Sequence, residues 1–491
     1  MTSLLAYTPM IHSRMFIETP KFRDHHFQPT RTGLASPPKH NREIPPSDVY
    51  LDGNSQFDRP LFVQFCANDP DELLEAARYV EPYCDAVDLN LGCPQGIARK
   101  GNYGAFLQED WQLIHRLINK LHVNLSIPVT AKMRVLETKE KTLDYAKMIL
   151  SAGASIITVH GRQRDQKGHK TGLADWPVLR YLRENLPPDT VIFANGNILR
   201  HEDIQKCLEE TGADGVMSAE GNLYDPTIFA KAPDVGREGR EYWKGRDGNG
   251  GYRVDAVFRR YMDIIYTHVL EKPIPKRDPL FLPSEPPREM PPTDQKRAAE
   301  EDIDRQPFSK KQKRDNKYVK TTSPNLLAMQ PHLFHLLRPL VTKHHEIRDA
   351  LAKSRAGDIA AFENVLQMVE RVTKEGLIDY ESNPAKYEEQ DLPLTEKEQE
   401  ANIGKDESSI ATVKSCKRPW WVCQPYVRPL PTEALENGSL TLSKKEKRRL
   451  EEETMLEKAR AKGKGRSERE EVDEADGMGR EEMPREAMIA G

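Results

Sequence analysis

The chain has 491 residues, of which 37% are apolar and 31% charged, with 36 prolines and a formal net charge of −4. That length allows two or three domains with one sizeable core, while the low apolar share implies dilution by polar linkers and tails. No run approaches the ~18 apolar residues of a membrane span and no signal-peptide layout opens the chain, so a soluble intracellular protein is expected; the net charge by itself argues against a generic nucleic-acid binder, although phosphate contacts need only one basic face.

Up to about residue 231, short β-branched runs alternate with helical patterns. The strand candidates are Leu4–Thr8, Leu61–Cys66, Asp85–Leu91, Pro128–Arg134, Ser155–His160, Thr190–Ala194 and Asp214–Ser218. They are nearly all hydrophobic and read as parallel strands buried on both faces. Between them, residues 71–81 place Leu73, Ala77 and Val80 on one face behind a Pro-Asp-Glu start. Residues 109–122 and 142–152 follow the same pattern. Repeated βα units predict an α/β fold, a TIM-type (β/α)8 barrel. Such a barrel takes eight strands and seven are countable, so the first strand is expected to be missing from this chain; an open sheet is the alternative.

After residue 232 the character changes. Tyr252–Tyr266 reads as a helix, and residues 273–325 as a solvated, proline-rich linker. The cluster Lys310-Lys311-Gln312-Lys313-Arg314 within it offers a nuclear-import signal or RNA-facing patch as the alternative. Helical periodicity returns over 328–376, with stripes at Leu333, Leu336, Leu337, Leu340 and at Phe362, Val365, Leu366, Val369. The interleaved Arg338, Lys343, His344, His345, Arg348, Lys353 and Arg355 read, on their own, as ordinary solvated surface. Beyond residue 385 hydrophobes are sparse apart from Trp420-Trp421-Val422-Cys423. The expected organisation is a catalytic barrel over 1–235, the start of a helical domain over 236–272, an insertion over 273–325, the rest of the helical domain over 326–380 and a charged, largely disordered tail over 381–491.

In a βα barrel, functional groups gather at the C-terminal ends of the strands. Here those ends carry Gln64; Asn90 with Cys93; Lys132 with Arg134; His160 with Arg162; Asn195-Gly196-Asn197; and Ala219-Glu220-Gly221. Six polar, cationic or glycine-rich ends in succession are hard to explain as packing. Glycine-rich loops after the last two strands commonly hold a phosphate. No Walker sequence and no GxGxxG at a βα turn is present, which leaves flavin mononucleotide (FMN) as a fitting ligand, with Lys132 near its ring. The six cysteines show no metal-site spacing, and no metal is expected; Cys66, Cys84, Cys207, Cys416 and Cys423 read as structural. Cys93 alone would also read as a buried small hydrophobe, but the flanking Asn90 and Pro94 and its place at a strand end favour a reactive role.

Leu89-Asn90-Leu91-Gly92-Cys93-Pro94 followed by Gly104-Ala105-Phe106-Leu107 resembles the signature of the tRNA-dihydrouridine synthases, as do Ala131-Lys132-Met133-Arg134, Val159-His160-Gly161-Arg162 and Asn195-Gly196-Asn197-Ile198. Gly172-Leu173-Ala174-Asp175-Trp176 and Ser218-Ala219-Glu220-Gly221 resemble the eukaryotic subgroup acting at D-loop positions 16 and 17. The resemblance covers about residues 4–265 and a helical domain near 328–376. The family's opening strand, with an Ala-Pro-Met-Val type motif, has no counterpart; Leu5-Ala6-Tyr7-Thr8-Pro9-Met10 matches its second strand.

The resemblance implies FMN contacts at Gln64, Lys132, His160, Asn195, Gly196, Asn197, Ala219 and Glu220, and a catalytic acid at Cys93. It places Asn90, Arg134 and Arg162 near the uracil or its phosphates, and the Arg99-Lys100 loop, with Arg162, Arg164, Lys167, His169 and Lys170, on the surrounding RNA backbone. The implied reaction reduces uridine in tRNA, with hydride from reduced FMN at C6, a proton from Cys93 at C5 and NADPH or NADH as the reductant. A thiol, with an ordinary pKa of about 8.5, is protonated at neutral pH yet able to give the proton up. A monomer in the cytoplasm or nucleus is expected. The competing readings are a tRNA-binding protein without catalysis and a flavoenzyme for free pyrimidines.

Overall fold

The computed structural model describes residues 4–37, 45, 47–285, 323–388, 409–436 and 438. The Lys310–Arg314 cluster lies outside the described residues. All seven expected strand positions are present, in one parallel sheet. The first is split in two, β1 (Ala6–Tyr7) and β2 (Ile11–His12), and both halves pair with β3 (Leu61–Cys66). Pro9 lies in the break, where a residue without an N–H cannot serve the ladder. The sheet continues in chain order through β4 (Ala86–Leu91), β5 (Val129–Arg134), β6 (Ile156–His160), β7 (Val191–Asn195) and β8 (Gly215–Met217). The array is TIM-like, and among the described residues β8 and β1 do not pair with each other, so the sheet stays open there.

The expectation that the strands are apolar on both faces holds for one face only. Val63, Phe65, Val87, Leu89, Leu91, Ala131, Met133 and Val159 join the main core with the helices. Side chains alternate along a strand, so the intervening positions face the other way. Those positions are Gln64, Asp88, Asn90, Thr130, Lys132, Arg134, Thr158 and His160, and register keeps them adjacent: Gln64 opposite Asp88, Asn90 opposite Lys132, Arg134 opposite His160. The inner face is therefore polar through its depth, not only at the strand ends.

The helices follow from local chemistry. Pro70–Val80 starts at Asp69, whose carboxylate accepts from the backbone N–H groups of Asp71 and Glu72, and it buries Leu73, Ala77 and Val80. Trp111–His122 and Lys139–Ser151 occupy the other two expected helical stretches.

A second core forms where Val254–Ile264 packs with Ile359–Ser382 and with the leucines of 326–340. Both expected stripes are buried. The first spans two helices, Pro324–Leu336 and Arg338–Lys343, because Leu337 ends one helix and Pro339 opens the next. The described part of the proline-rich stretch lies against this body: Leu280 is buried, and Arg277 pairs with Asp263 and Glu363. No described helix is long and apolar enough to cross a membrane.

Within the stretch read as a charged tail, a strap returns to this body. Trp421 is fully buried against Trp243, Leu377 and Tyr380. Its carbonyl accepts from Val254 N at 2.9 Å, and Cys423 N donates to Tyr252 O at 2.9 Å. Gly376, inside the long helix, makes this approach possible: a Cβ there would lie 2.7 Å from both Trp420 Cζ2 and Trp421 Cε3. Gly376→Ala raises helix propensity by about 1 kcal/mol, but overpacking of this kind costs about 1–3 kcal/mol. We expect net loosening, read as faster proteolysis near residue 420 and red-shifted tryptophan emission. A more protease-resistant variant would show that the indoles can move aside.

Candidate active site

The polar inner face is a directed hydrogen-bond relay. Asp88, fully buried at the centre of β4, accepts from Thr130 Oγ1 on one oxygen (2.6 Å) and from Gln64 Nε2 on the other (2.8 Å). That contact leaves Gln64 Oε1 to accept from Asn90 Nδ2 at 2.7 Å. Asn90 Oδ1 in turn accepts from the backbone N–H groups of Gly92 (3.1 Å) and Cys93 (2.9 Å). A carboxylate has no donor of its own when ionised, so each amide in the chain has a defined orientation. The relay ends on the peptide that carries Cys93.

The Cys93 loop is held from other sides too. Arg134 Nε donates to Gly92 O at 2.7 Å, and Lys167 Nζ to Pro94 O at 2.6 Å. Gly104, at φ +64°, closes over it: a Cβ there would lie 2.9 Å from Cys93 O, so glycine is required both for the left-handed backbone and for the approach. Cys93 is part-exposed, whereas the other five cysteines are buried as free thiols. Its neighbours Met10, Cys66, Tyr103 and Phe106 form a small apolar wall. Burial pushes the Cys66 thiol up to about 12, which keeps it inert.

Lys132 and His160 continue the inner face. The Lys132 ammonium has one hydrogen-bond partner among the described residues, the neutral Asn195 Oδ1 at 3.1 Å. Burial, and then Arg134, lower it to about 8, against the opposing pull of Asp88 and Cys93. His160 is held far below the ordinary histidine range by burial and by Lys132, Arg134 and Arg162. It is neutral, and Arg162 Nη1 donates to its Nε2 at 3.1 Å. Burial and Arg134 bring Arg162 down to about 10.

At the end of β7, Gly196 (φ +113°) and Asn197 (φ +63°) are both left-handed. The Asn197 side chain is occupied with the 172–175 loop: Oδ1 accepts from Ala174 N and Arg162 Nη2, and Nδ2 donates to Ala174 O. Its backbone is what it can offer a ligand. Ala219 precedes the short helix Glu220–Tyr224, and the Glu220 carboxylate is taken by Arg428.

Gln64, Asn90, Cys93, Lys132, Arg134, His160, Arg162 and Asn195 are thus brought together. Arg99 and Lys100 stand apart, exposed on a short helix, Gly96–Gly101, not on the loop expected. Asn102 ends that helix in the left-handed conformation that lets the chain turn back over Cys93. Arg164 and Lys167, expected on RNA phosphates, tie their loop to Ala105 O and Pro94 O. Asp88 and Thr130 were not anticipated. The signal was present as polar residues spaced by two inside strands, Asp88-x-Asn90 and Thr130-x-Lys132-x-Arg134.

Residues 1–244 match the dihydrouridine synthase (Dus) family. A relative from Saccharomyces cerevisiae, named tRNA-dihydrouridine(16/17) synthase (NAD(P)(+)), is 41% identical over 87% of this chain and 78% of its own length. One of the same name from Schizosaccharomyces pombe is 40% identical over 87% of this chain and 82% of its own. A mouse relative named for positions 20a/20b is 33% identical over 46% of this chain and 61% of its own. Identity at this level along most of both chains, together with the family match over residues 1–244, shows that the chain belongs to the dihydrouridine synthase family.

Proposed function

We propose that the chain reduces uridine to 5,6-dihydrouridine in tRNA, at D-loop positions 16 and 17. The observation that carries this reading is the relay from Asp88 through Gln64 and Asn90, which fixes Cys93 within electrostatic range of Lys132 and Arg134. Relatives named for positions 16/17 match across the helical body as well, whereas the 20a/20b relative matches less than half of the chain.

The donor set fits FMN. A part-buried ammonium with a single neutral partner needs an anionic or electron-rich edge beside it, and Lys132 supplies such a cation. Gln64, His160 and Asn195 line the same surface, with Gly196, Asn197, Ala219 and Glu220 at its phosphate end. When bound, FMN supplies the hydride delivered to uracil C6, at the expense of NADPH or NADH. The Cys93 Sγ–H bond breaks as its proton goes to C5, and the thiolate left behind takes a proton from water. Lys132 stabilises negative charge that builds on the reacting ring system. Neutral His160 donates through Nδ1 without adding a further cation. The target base must leave its stack to reach Cys93. Arg99 and Lys100, exposed beside the Cys93 loop, hold phosphates around it.

The test is expression of the full chain in cells whose tRNA lacks dihydrouridine at positions 16 and 17. Mapping the modified positions should show both restored. Modification at other positions, or turnover of free uracil without tRNA, would overturn the assignment.

A further inference from the structure

We propose that the strap Arg418–Arg428 is a working part of the RNA-binding face, with Arg428 exchanging Glu220 for a phosphate of the bound strand. This rests on tRNA being the substrate. The strap is rigid where it must be: Arg418 Nε donates to Gly250 O at 3.2 Å, and Trp421 is locked in the core. That anchoring delivers Tyr426 and Arg428 to the edge of the catalytic sheet, where Arg428 Nε donates to Glu220 Oε2 at 3.2 Å. Glu220 lies three residues beyond Met217, the end of β8, so this pair borders the site described above.

The surroundings suit a nucleic-acid strand. The Arg338 guanidinium lies 3.8 Å from the Tyr426 ring centre, and Tyr426 lies 5.5 Å from Tyr224. Arg338 is exposed and has no acidic partner among the described residues. Arg162 lies in the field of Arg134, Glu220 and Arg428, and the Arg428 and Arg338 guanidiniums lie 5.5 Å and 3.8 Å from the same Tyr426 ring centre. Arg134, Arg162, Arg428 and Arg338 therefore run from beside Cys93 to the helical body with Glu220 as the interposed acid. Guanidinium forks match phosphate oxygens, and the part-exposed Tyr426 ring, backed by buried Tyr224, offers stacking surface to an unpaired base. The Arg428–Glu220 pair has both side chains over two-fifths exposed, so exchanging the carboxylate for a phosphate costs little.

The experiment measures affinity of the full-length chain for unmodified tRNA over a salt series, with Arg428→Gln, Arg428→Lys, Arg338→Gln and Glu220→Gln. Arg428→Gln should weaken binding several-fold and lower the log–log salt slope by about 0.7–0.9, with Arg428→Lys restoring the slope. Arg338→Gln should weaken binding likewise. Glu220→Gln should tighten it, because it releases Arg428. A structural pair predicts the opposite pattern: Arg428→Gln and Glu220→Gln shift affinity in the same direction, with slopes unchanged, and that result overturns the proposal. Tryptophan emission reports whether the strap stays docked in each variant. Wild-type chain that fails to bind tRNA overturns the functional reading itself; wild-type binding that Arg428→Gln leaves unaltered overturns only this inference.

Discussion

Cys93→Ala is expected to lower dihydrouridine formation by about 10²- to 10⁴-fold, the usual contribution of a positioned proton donor. The loss should fall on kcat, with tRNA affinity unchanged, because among the described residues the side chain makes no hydrogen bond that holds the loop. Asn90, Arg134 and Lys167 all bind backbone atoms of residues 92–94, so the loop keeps its shape without the thiol. Cys93→Ser should be nearly as impaired, since a hydroxyl of similar size is a far weaker acid. Single-turnover kinetics with pre-reduced enzyme would check both variants. An alanine variant with wild-type single-turnover rates would remove Cys93 from the reaction and leave it a packing residue.

Asp88→Asn is expected to separate stability from activity. Burial raises the Asp88 carboxyl from 3.8 to about 6, the hydrogen bonds from Thr130 and Gln64 and the charge of Lys132 opposing it. Between those values the folded chain binds more protons than the unfolded chain, so stability falls as pH rises through about 4 to 6. The full shift corresponds to about 3 kcal/mol, and the ionised form bears that cost throughout the neutral range. Asparagine removes the cost but offers one acceptor oxygen where Asp88 offers two. If its amide nitrogen turns to Gln64, Gln64 must reverse, and its own amide nitrogen then faces Asn90 Nδ2. If it turns to Thr130, whose hydroxyl can accept, the order of the relay survives but the charge that anchors it is lost, so in both orientations the hold on Cys93 N is weakened. We expect unchanged or higher stability at pH 7, a shallower loss of stability between pH 4 and 6, and at least tenfold lower kcat. Equal activity with lower stability would show that Asp88 serves the core alone.

Much of this was legible in the chain. The seven strand positions and both leucine-type stripes follow from hydrophobic period, which senses the main core directly: Leu89, Leu333 and Phe362 are buried because one face of their element has no alternative to burial. Cys93 and its neighbours stood out because polar groups after an apolar strand have few reasons to be there. Asp88 did not stand out, although it sits two residues before Asn90. Reading β4 as uniformly apolar hid the alternation, and only pairing with β3 and β5 shows that Gln64, Asp88 and Thr130 share one surface.

Other features depended on contacts between segments remote in sequence. Arg99 and Lys100 read as a loop, because a six-residue helix carries too little periodicity to register. Trp420-Trp421 read as an isolated apolar patch in a charged tail; its partners Trp243 and Tyr380 lie 178 and 41 residues from Trp421. Arg428 meets Glu220 across 208 residues. By itself the sequence determined most element types, the apolar core and the place of Cys93 at a strand tip, since these depend on neighbours within a strand or helix turn. The tertiary structure decided the polar relay behind Cys93 and the seat of the strap, because each requires charges and rings from different elements to meet.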